Sequence, residues 1–279
     1  MLKLIVCMKQ VPMVSELPWD TRTGTLRRDL ADGMMNPACR HAFEAALQIK
    51  QAHDAHITVL TMGPPMAEEI LREAMAGGAD RGVLLTDRRM AGADTFATSF
   101  TLGRAIEHIC PDFDLVLCGS YTSDSETAQV GPQLAEELNV PGVAYVDRIE
   151  IDRRTVRMQR LADDFLETLE MDLPGLVTIS PTYYAPRYIS ISGISDAFEY
   201  AHIDRVTLEN LNADPDLAGR KGSPTQILDV YSPTATKKNM VLKGAPKTVV
   251  QELFERFGDK LSGAIGKDLQ RLDDRKAVR

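Results

Sequence analysis

At 279 residues the chain is long enough for one large α/β domain, or for a domain with an appendage, and it can bury a sizeable core. Hydrophobic residues at 44% and charged residues at 26% are ordinary for a globular protein, and a net charge of -8 argues against a general nucleic-acid binder. Cys7, Cys39, Cys110 and Cys118 have no metal-ligand spacing and no C-x-x-C, so they read as free thiols of a reducing compartment. No signal peptide precedes the first apolar run and none approaches the length of a membrane span, which reads as a cytoplasmic chain without membrane insertion.

Taken in order, Leu2 to Met8 is a short β-rich run that suits a central parallel strand, stopped at Lys9-Gln10-Val11-Pro12. In an open α/β sheet that carboxyl edge is where ligands sit. The stretch through Trp19, Thr23-Gly24-Thr25 and Arg27-Arg28-Asp29 has no sustained period and reads as an excursion containing a small hairpin. Asn36 is a natural N-cap and Pro37 fits the first helical position, with Ala42, Ala45, Ala46 and Ile49 marking an apolar face. Ile57 to Met62 reads as a strand, followed by a helix through Ile70, Leu71 and Met75 that Gly77-Gly78 ends. Val83 to Thr86 predicts another strand, and Phe96, Phe100, Leu102 and Ile106 another helix. Strands alternating with helices at this spacing predict a doubly wound parallel sheet with right-handed crossovers.

The stretch from Asp114 to Pro141 organises the chain. Leu115 to Cys118 reads as a buried strand, Gly119 breaks it, and Ser120 to Thr127 is polar and rich in hydroxyls. From Ala128 a helix begins, with Val130, Leu134 and Leu138 on one face. A strand, a small-residue loop and a helix entered through it present unpaired backbone N–H groups to an anionic ligand. The same loop serves equally as an ordinary turn and helix cap, since neither G-x-G-x-x-G nor G-x-x-x-x-G-K-[ST] is present.

After Pro141, Val143 to Ile151, Thr155 to Leu161 and Phe165 to Leu173 alternate with the period of antiparallel strands, and Leu176 to Ser180 is a further strand. Pro181 to Ser195 has no clear period and reads as a connection. Asn210 to Lys247 is rich in Pro, Gly, Asp, Lys and Thr, and predicts an arm laid on a partner through Leu217, Ile227, Leu228, Val230, Tyr231 and Leu242. Thr248 to Leu261 is amphipathic, and the charged tail beyond Gly266 reads as frayed. The division is therefore residues 1–209 as the α/β domain, with a connecting loop at about 181–196, and 210–279 as arm and helix. His41, His53, His56, His108 and His202 are scattered, with no nucleophile motif and no HExxH. A carrier or adapter fits these absences better than a hydrolase.

Several short motifs are weak singly and specific in their order. They are Lys9-Gln10-Val11-Pro12, Met35-Asn36-Pro37, Thr61-Met62-Gly63-Pro64, Gly78-Ala79-Asp80-Arg81-Gly82, Asp124 with Thr127-Ala128-Gln129-Val130-Gly131-Pro132, and Ala185-Pro186-Arg187-Tyr188. With them the chain resembles the beta subunit of electron transfer flavoprotein, from the first strand to about Leu261. The resemblance implies a fold of the adenine-nucleotide alpha hydrolase-like type with a small antiparallel extension, and a heterodimer whose alpha subunit holds an electron-carrying FAD. It also implies a buried nucleotide in this subunit, AMP in most members and a second FAD, reduced by NADH, in the electron-bifurcating branch.

The chain looks closer to the bifurcating branch through Thr86-Asp87, Ala91-Gly92-Ala93-Asp94-Thr95 with Ala97-Thr98-Ser99, and Lys221-Gly222-Ser223-Pro224-Thr225. The resemblance places Cys7, Lys9, Asn36, Met62, Asp94, Thr95, Thr98, Gly119, Ser120, Asp124, Thr127, Ala128, Gln129, Val130 and Gly131 at the nucleotide. It places Arg187, Tyr188 and Ile191 at the docking surface for an acyl-CoA or other flavin-linked dehydrogenase, and implies no metal and no catalytic residue. The family commonly shows a basic residue, Gln, Ala and an aliphatic residue after Gly119, where Ser120, Tyr121, Thr122 and Ser123 stand here. A cation lost near a flavin changes its potential or hydride acceptance. In a second reading the subunit keeps AMP only as a structural ligand and serves as scaffold and docking surface. A third, an adenine-nucleotide-binding regulator of the universal-stress type, leaves the strands after Pro141 and the arm without a task.

Overall fold

Short apolar runs bounded by turn residues become strands covered on both faces, and the frame of this molecule is built from them. The computed structural model describes residues 1–13, 19–20, 25–26, 32–226, 228 and 240–277, with 19–20, 25–26 and 264–277 described by backbone alone. The chain falls into two compact units, Met1–Asp229 and Val230–Arg279.

In the first unit the elements begin with β1 (Leu2–Met8), β2 (Gln10–Pro12), β3 (Trp19–Asp20), β4 (Thr25–Leu26) and β5 (Gly33–Met35), then α1 (Pro37–Ala52) and β6 (Ala55–Met62). They continue with α2 (Glu68–Gly77), β7 (Arg81–Leu85), α3 (Thr95–Ile109), β8 (Leu115–Gly119), α4 (Val130–Glu137) and β9 (Gly142–Val146). A meander β10 (Arg148–Asp152), β11 (Thr155–Ala162) and β12 (Phe165–Asp172) leads to β13 (Gly175–Ile179), α5 (Ile191–Tyr200) and β14 (Ile203–Val206). The main sheet has seven strands in the order β14-β7-β6-β1-β8-β13-β9, all paired in parallel. Because β6, β7 and β14 lie on one side of β1 and β8 on the other, strand order reverses at the β1/β8 boundary. In a sheet of this kind the crevice for a ligand opens beyond the carboxyl ends at that switch point.

Alternation of side chains along each strand divides the core into two layers. Leu4, Val6, Val59 and Leu117 face Ala42, Ala46, Ile70 and Leu71 of α1 and α2. Ile5, Leu60, Val83 and Val116 face Leu102, Ala105, Ile106 and Leu134 of α3 and α4. The antiparallel meander joins the α1 layer through buried Val156, Met158 and Met171. The expected hairpin in the early excursion is present as the β3–β4 pair.

Four expectations differ from the structure. Val143 to Ile151 is not one antiparallel strand: β9 is a parallel strand of the main sheet, and the chain turns before β10. Tyr145 has a positive φ of 58° and Asp147 accepts from Leu161 N at 3.0 Å, a break that an uninterrupted apolar alternation conceals. Residues 181–195 are not wholly a connection, because Ser190 caps α5 by accepting from Gly193 N at 3.0 Å. The arm expected from Asn210 begins later, since Leu211, Ala218 and Ser223 are buried in the first unit, and the division falls at Asp229 instead of 209. Two glycines allow this packing: a Cβ on Gly219, whose φ is +56°, would stand 1.9 Å from Arg89 O in the loop before α3, and one on Gly222 would stand 2.0 Å from Leu217 C within the segment itself. Leu228 is exposed and Leu242 half-buried, whereas Ile227, Val230 and Tyr231 lie outside the described residues. In the second unit α6 (Pro246–Ala277) runs on past Gly266, where the sequence suggests fraying.

Asp87, just after β7, joins three pieces of this frame. It accepts from Arg89 N at 2.9 Å, from the Arg89 guanidinium at 3.0 and 2.6 Å, and from Leu208 N at 3.3 Å. The Arg89 hydrogen bonds outweigh the opposing effect of burial and hold the carboxyl down to about 2, against an ordinary 3.8. Because the folded value is depressed, the stabilisation is full above the ordinary value and is lost as pH falls toward 2. Asp87→Ala is expected to destabilise the protein by about 1–2 kcal/mol at pH 7, discounted for the exposed arginine. In urea titrations between pH 7 and 2 the gap to wild type should close below pH 4; a gap independent of pH would contradict the assignment.

Candidate functional site

The carboxyl ends of β1 and β8 meet the first turn of α1. Asn36 stands at the N-cap position of α1, yet its side chain makes no cap. Its amide instead donates from Nδ2 to Tyr121 O at 2.8 Å, and its Oδ1 accepts from Ser123 N at 3.0 Å. Its backbone N donates to Lys9 O at 2.9 Å, so one buried residue fastens the end of β1, the start of α1 and the loop after β8. Lys9 Nζ reaches Asp124 Oδ1 at 2.7 Å, and the Asp124 side chain is only 6% exposed.

Gly119 lets these pieces close: a Cβ there would lie 2.7 Å from Ala38 C and 2.8 Å from Cys39 N. Gly131 does the same for α4, where a Cβ would lie 2.3 Å from Thr178 Cγ2. Toward a ligand these two glycines therefore offer backbone only. Between them Glu126 and Ala128 are left-handed, with φ of 48° and 55°. For alanine that conformation costs roughly 1–2 kcal/mol, and strained residues of this kind gather at ligand-binding turns. Thr127 lies between them, and Gln129 Oε1 accepts from Thr95 Oγ1 at 3.1 Å, which ties the loop to α3. Val130 opens α4, and its carbonyl accepts from Ser99 Oγ at 3.2 Å.

The Ser120 Oγ is buried and has no hydrogen-bond partner among the described residues, and the same holds for Thr61 Oγ1 near the end of β6. A buried hydroxyl left unpaired costs about 1–3 kcal/mol, which a polar ligand at the loop offsets. By this criterion the residues present fit a nucleotide at the loop.

Cys7 and Cys118 are register neighbours on β1 and β8, both buried and both free. The hydrogen bond from Cys7, together with burial, keeps the Cys118 thiol well above its usual range. Burial likewise pushes the Cys39 thiol up, against the opposing hydrogen bond from Asn36. The Cys118 and Cys39 thiols are therefore held in the protonated form. Met62 ends β6 and packs half-buried on the α3 layer.

Asp94 and Thr95 stand at the start of α3, as expected, but Asp94 is used up by the chain itself. Its Oδ1 accepts from Ala97 N at 3.0 Å, its Oδ2 from Thr225 N at 2.9 Å, and its backbone N donates to Ser223 Oγ at 2.8 Å. Burial raises its carboxyl, and these N–H groups more than reverse that, leaving it below the ordinary value. The two sequence motifs around Asp94 and Ser223 thus meet in space. Thr98 lies one turn into the same helix, with its N–H bonded to Asp94 O at 3.0 Å. Among the described residues no cluster of His, Cys, Asp and Glu is arranged to hold a metal ion.

The docking candidates lie elsewhere, at α5. Tyr188 is 102% exposed and Ile191 88%, whereas Arg187 is held by a bidentate pair to Glu44, with Nε and Nη2 each 2.8 Å from its two oxygens. Sequence reasoning does not find Glu44, although an acid inside the apolar stripe of α1, between Phe43 and Ala45, is a signal in itself.

A parallel doubly wound sheet with a fastened, hydroxyl-rich loop at its switch point defines an α/β protein of the class whose ligands sit beyond the strand ends. The model of the electron transfer flavoprotein domain matches residues 23–209. The chain is 39% identical over 259 residues to the electron transfer flavoprotein subunit beta of Thermoanaerobacterium thermosaccharolyticum, covering 93% of this chain and 99% of that one. It is 40% identical over 261 residues to the caffeyl-CoA reductase-Etf complex subunit CarD of Acetobacterium woodii, covering 93% and 98%. It is 38% identical over 259 residues to Protein FixA of Sinorhizobium fredii, covering 90% of each. The chain belongs to the electron transfer flavoprotein family, among its beta subunits.

Asn36→Leu removes both side-chain bonds to the loop and leaves the partly buried Tyr121 carbonyl and Ser123 N–H without that partner. A loss of about 1–3 kcal/mol is expected in urea titration, with faster proteolytic cutting between Tyr121 and Gln129. Cutting at the wild-type rate would mean that the loop is held by other contacts.

Proposed function

We propose that this subunit, paired with an alpha subunit, carries electrons between a donor and an acyl-CoA or other flavin-linked dehydrogenase, and that it holds an adenine nucleotide at the β1/β8 switch point. The observation that carries the reading is the loop at 119–131, fastened by Asn36 and by the Lys9–Asp124 pair around a buried Ser120 hydroxyl that has no partner among the described residues. The ligand we favour is a second FAD, with NADH as its donor. Support for this comes from the resemblance of the segments at Asp94 and Ser223 to the bifurcating branch, and these segments touch. When bound, a flavin supplies the one- and two-electron chemistry. Around it this chain's residues bind and orient: loop N–H groups and hydroxyls face phosphates, and the packed α1 and α4 keep water from the strand ends.

A second reading, AMP as a structural ligand, is favoured by a different observation. Residues 119–131 carry Asp124 and Glu126 and no base, and the nearby cation Lys9 is paired to Asp124. A reduced, anionic flavin there would find little compensation. Nucleotide released from the purified heterodimer separates the two: two FAD per dimer supports the first and one FAD with one AMP the second. A dimer without any adenine nucleotide in the beta chain would contradict both. In the second unit, Val250, Leu253, Phe254 and Phe257 of α6 are exposed, and we assign this helix to the contact with the alpha subunit.

The docking surface we propose is the outer face of α5, where Ile191, Ile194 and Phe198 stand exposed beside Tyr188. Ile191→Ala is expected to weaken docking by about 1–3 kcal/mol and to leave flavin content unchanged. The check is electron-transfer rate against dehydrogenase concentration: an unchanged half-saturating concentration would move the anchor elsewhere.

A further inference from the structure

Of its ten residues, α5 buries only Ala197, while Ile191, Ile194 and Phe198 face outward. So short a helix, opening Ile-Ser-Gly-Ile-Ser, has little intrinsic tendency to form and here has almost no apolar burial to hold it. What holds it is polar, and it comes from α1 and α2.

At the leading end, Arg187 is clamped in bidentate fashion on Glu44 of α1, a residue only 5% exposed, which also accepts from Gln48 Nε2 at 2.9 Å. Gly193 then lies so close to the end of α2 that a Cβ would stand 2.8 Å from Ala76 O. At the trailing end, Arg72 of α2 directs Nη1 at the carbonyls of Ala197, Phe198 and Ala201, at 2.9, 3.3 and 3.2 Å. The last carbonyls of a helix have no intrahelical partner and carry partial negative charge, so a guanidinium there satisfies them. The other edge of Arg72 is fixed by Glu68 Oε1, at 3.1 Å from Nε and 2.7 Å from Nη2, and Glu68 Oε2 is held in turn by Arg205 Nη2 at 2.6 Å.

We infer that Arg72 and Glu44 are positioning residues for partner docking: they hold α5 at both ends by charge, so that its apolar face stays free for the dehydrogenase. This rests on the docking surface proposed above. Neither residue touches the partner. They act by fixing where Ile191 and its neighbours stand.

The test uses the heterodimer, with Arg72→Met, which keeps the stem and removes the donors, and Arg72→Lys, which keeps the charge. Two quantities are read: amide hydrogen exchange over residues 191–201, and the half-saturating concentration for a purified short-chain acyl-CoA dehydrogenase. For Arg72→Met we expect exchange in α5 to rise about tenfold with β1 and α1 unchanged, and the half-saturating concentration to rise about tenfold at an unchanged maximal rate. Arg72→Lys should recover part of both. Should Arg72→Met fail to assemble, Arg72→Lys decides by the same readings. Unchanged exchange in α5 overturns the inference. So does raised exchange with an unchanged half-saturating concentration, if Ile191→Ala raises it, and the docking surface then stands without the clamp. If Ile191→Ala also has no effect, the docking surface itself falls, and the inference with it.

Discussion

One buried amide holds the working end of this molecule together. Asn36 spends its backbone N–H on Lys9, its carbonyl on Cys39 and Arg40 of α1, and both atoms of its side-chain amide on Tyr121 and Ser123. A residue used only as an N-cap would have satisfied its own helix and left the loop after β8 without an anchor. Spending the side chain on the loop costs α1 its cap. Pro37 lowers that cost, since it brings no N–H to the first turn. The hydroxyl-rich loop is therefore held over the switch point by α1. The same helix, two turns further on, grips Arg187 through Glu44 and so fixes the start of the segment that carries Tyr188 and Ile191. The loop after β8 and the segment leading into α5 thus share one support, α1.

Charge is used in the same way throughout the first unit. Asp87, Asp94 and Glu44 are all at least partly buried acids whose carboxyls lie below their ordinary values, and each is satisfied within the chain by an arginine or by backbone N–H groups. Burying a charge is costly unless it is paired and hydrogen-bonded, and these pairs join segments distant in sequence. None of them stands as a free acid or base beside a nucleophile. These acids serve to join the elements of the unit.

Much of the frame is legible in the sequence because parallel strands buried on both faces are written as short apolar runs. Leu2 to Met8, Ile57 to Met62 and Leu115 to Cys118 fall on β1, β6 and β8, and helix ends at Pro37 and Gly78 follow the local stereochemistry of those residues. What is not legible depends on contacts across long distances. The irregularity at Tyr145 in β9 leaves no gap in the alternation, because a left-handed tyrosine looks like any other. Helix α5 is hidden because the groups that bond its carboxyl end and the segment before it, Arg72 and Glu44, lie more than a hundred positions away. The segment after Leu208 reads as an unpacked arm because it packs through glycine backbone and small side chains, which a hydrophobicity pattern does not register. At the site, Asp94 caps its helix and bonds the backbone N–H of residue 225, and Gly119 and Gly131 serve close packing, so the types of these motif residues follow from the fold itself.

The central claim is that a nucleotide in this subunit lies against the loop that Asn36 and the Lys9–Asp124 pair hold at the β1/β8 switch point. Hydrogen exchange of the heterodimer, as purified and after nucleotide removal, tests it most directly. The account predicts that amides between Gly119 and Gly131 lose protection on removal and regain it when AMP or FAD is returned. Unchanged protection there, with the change appearing at another edge of the sheet, would contradict it.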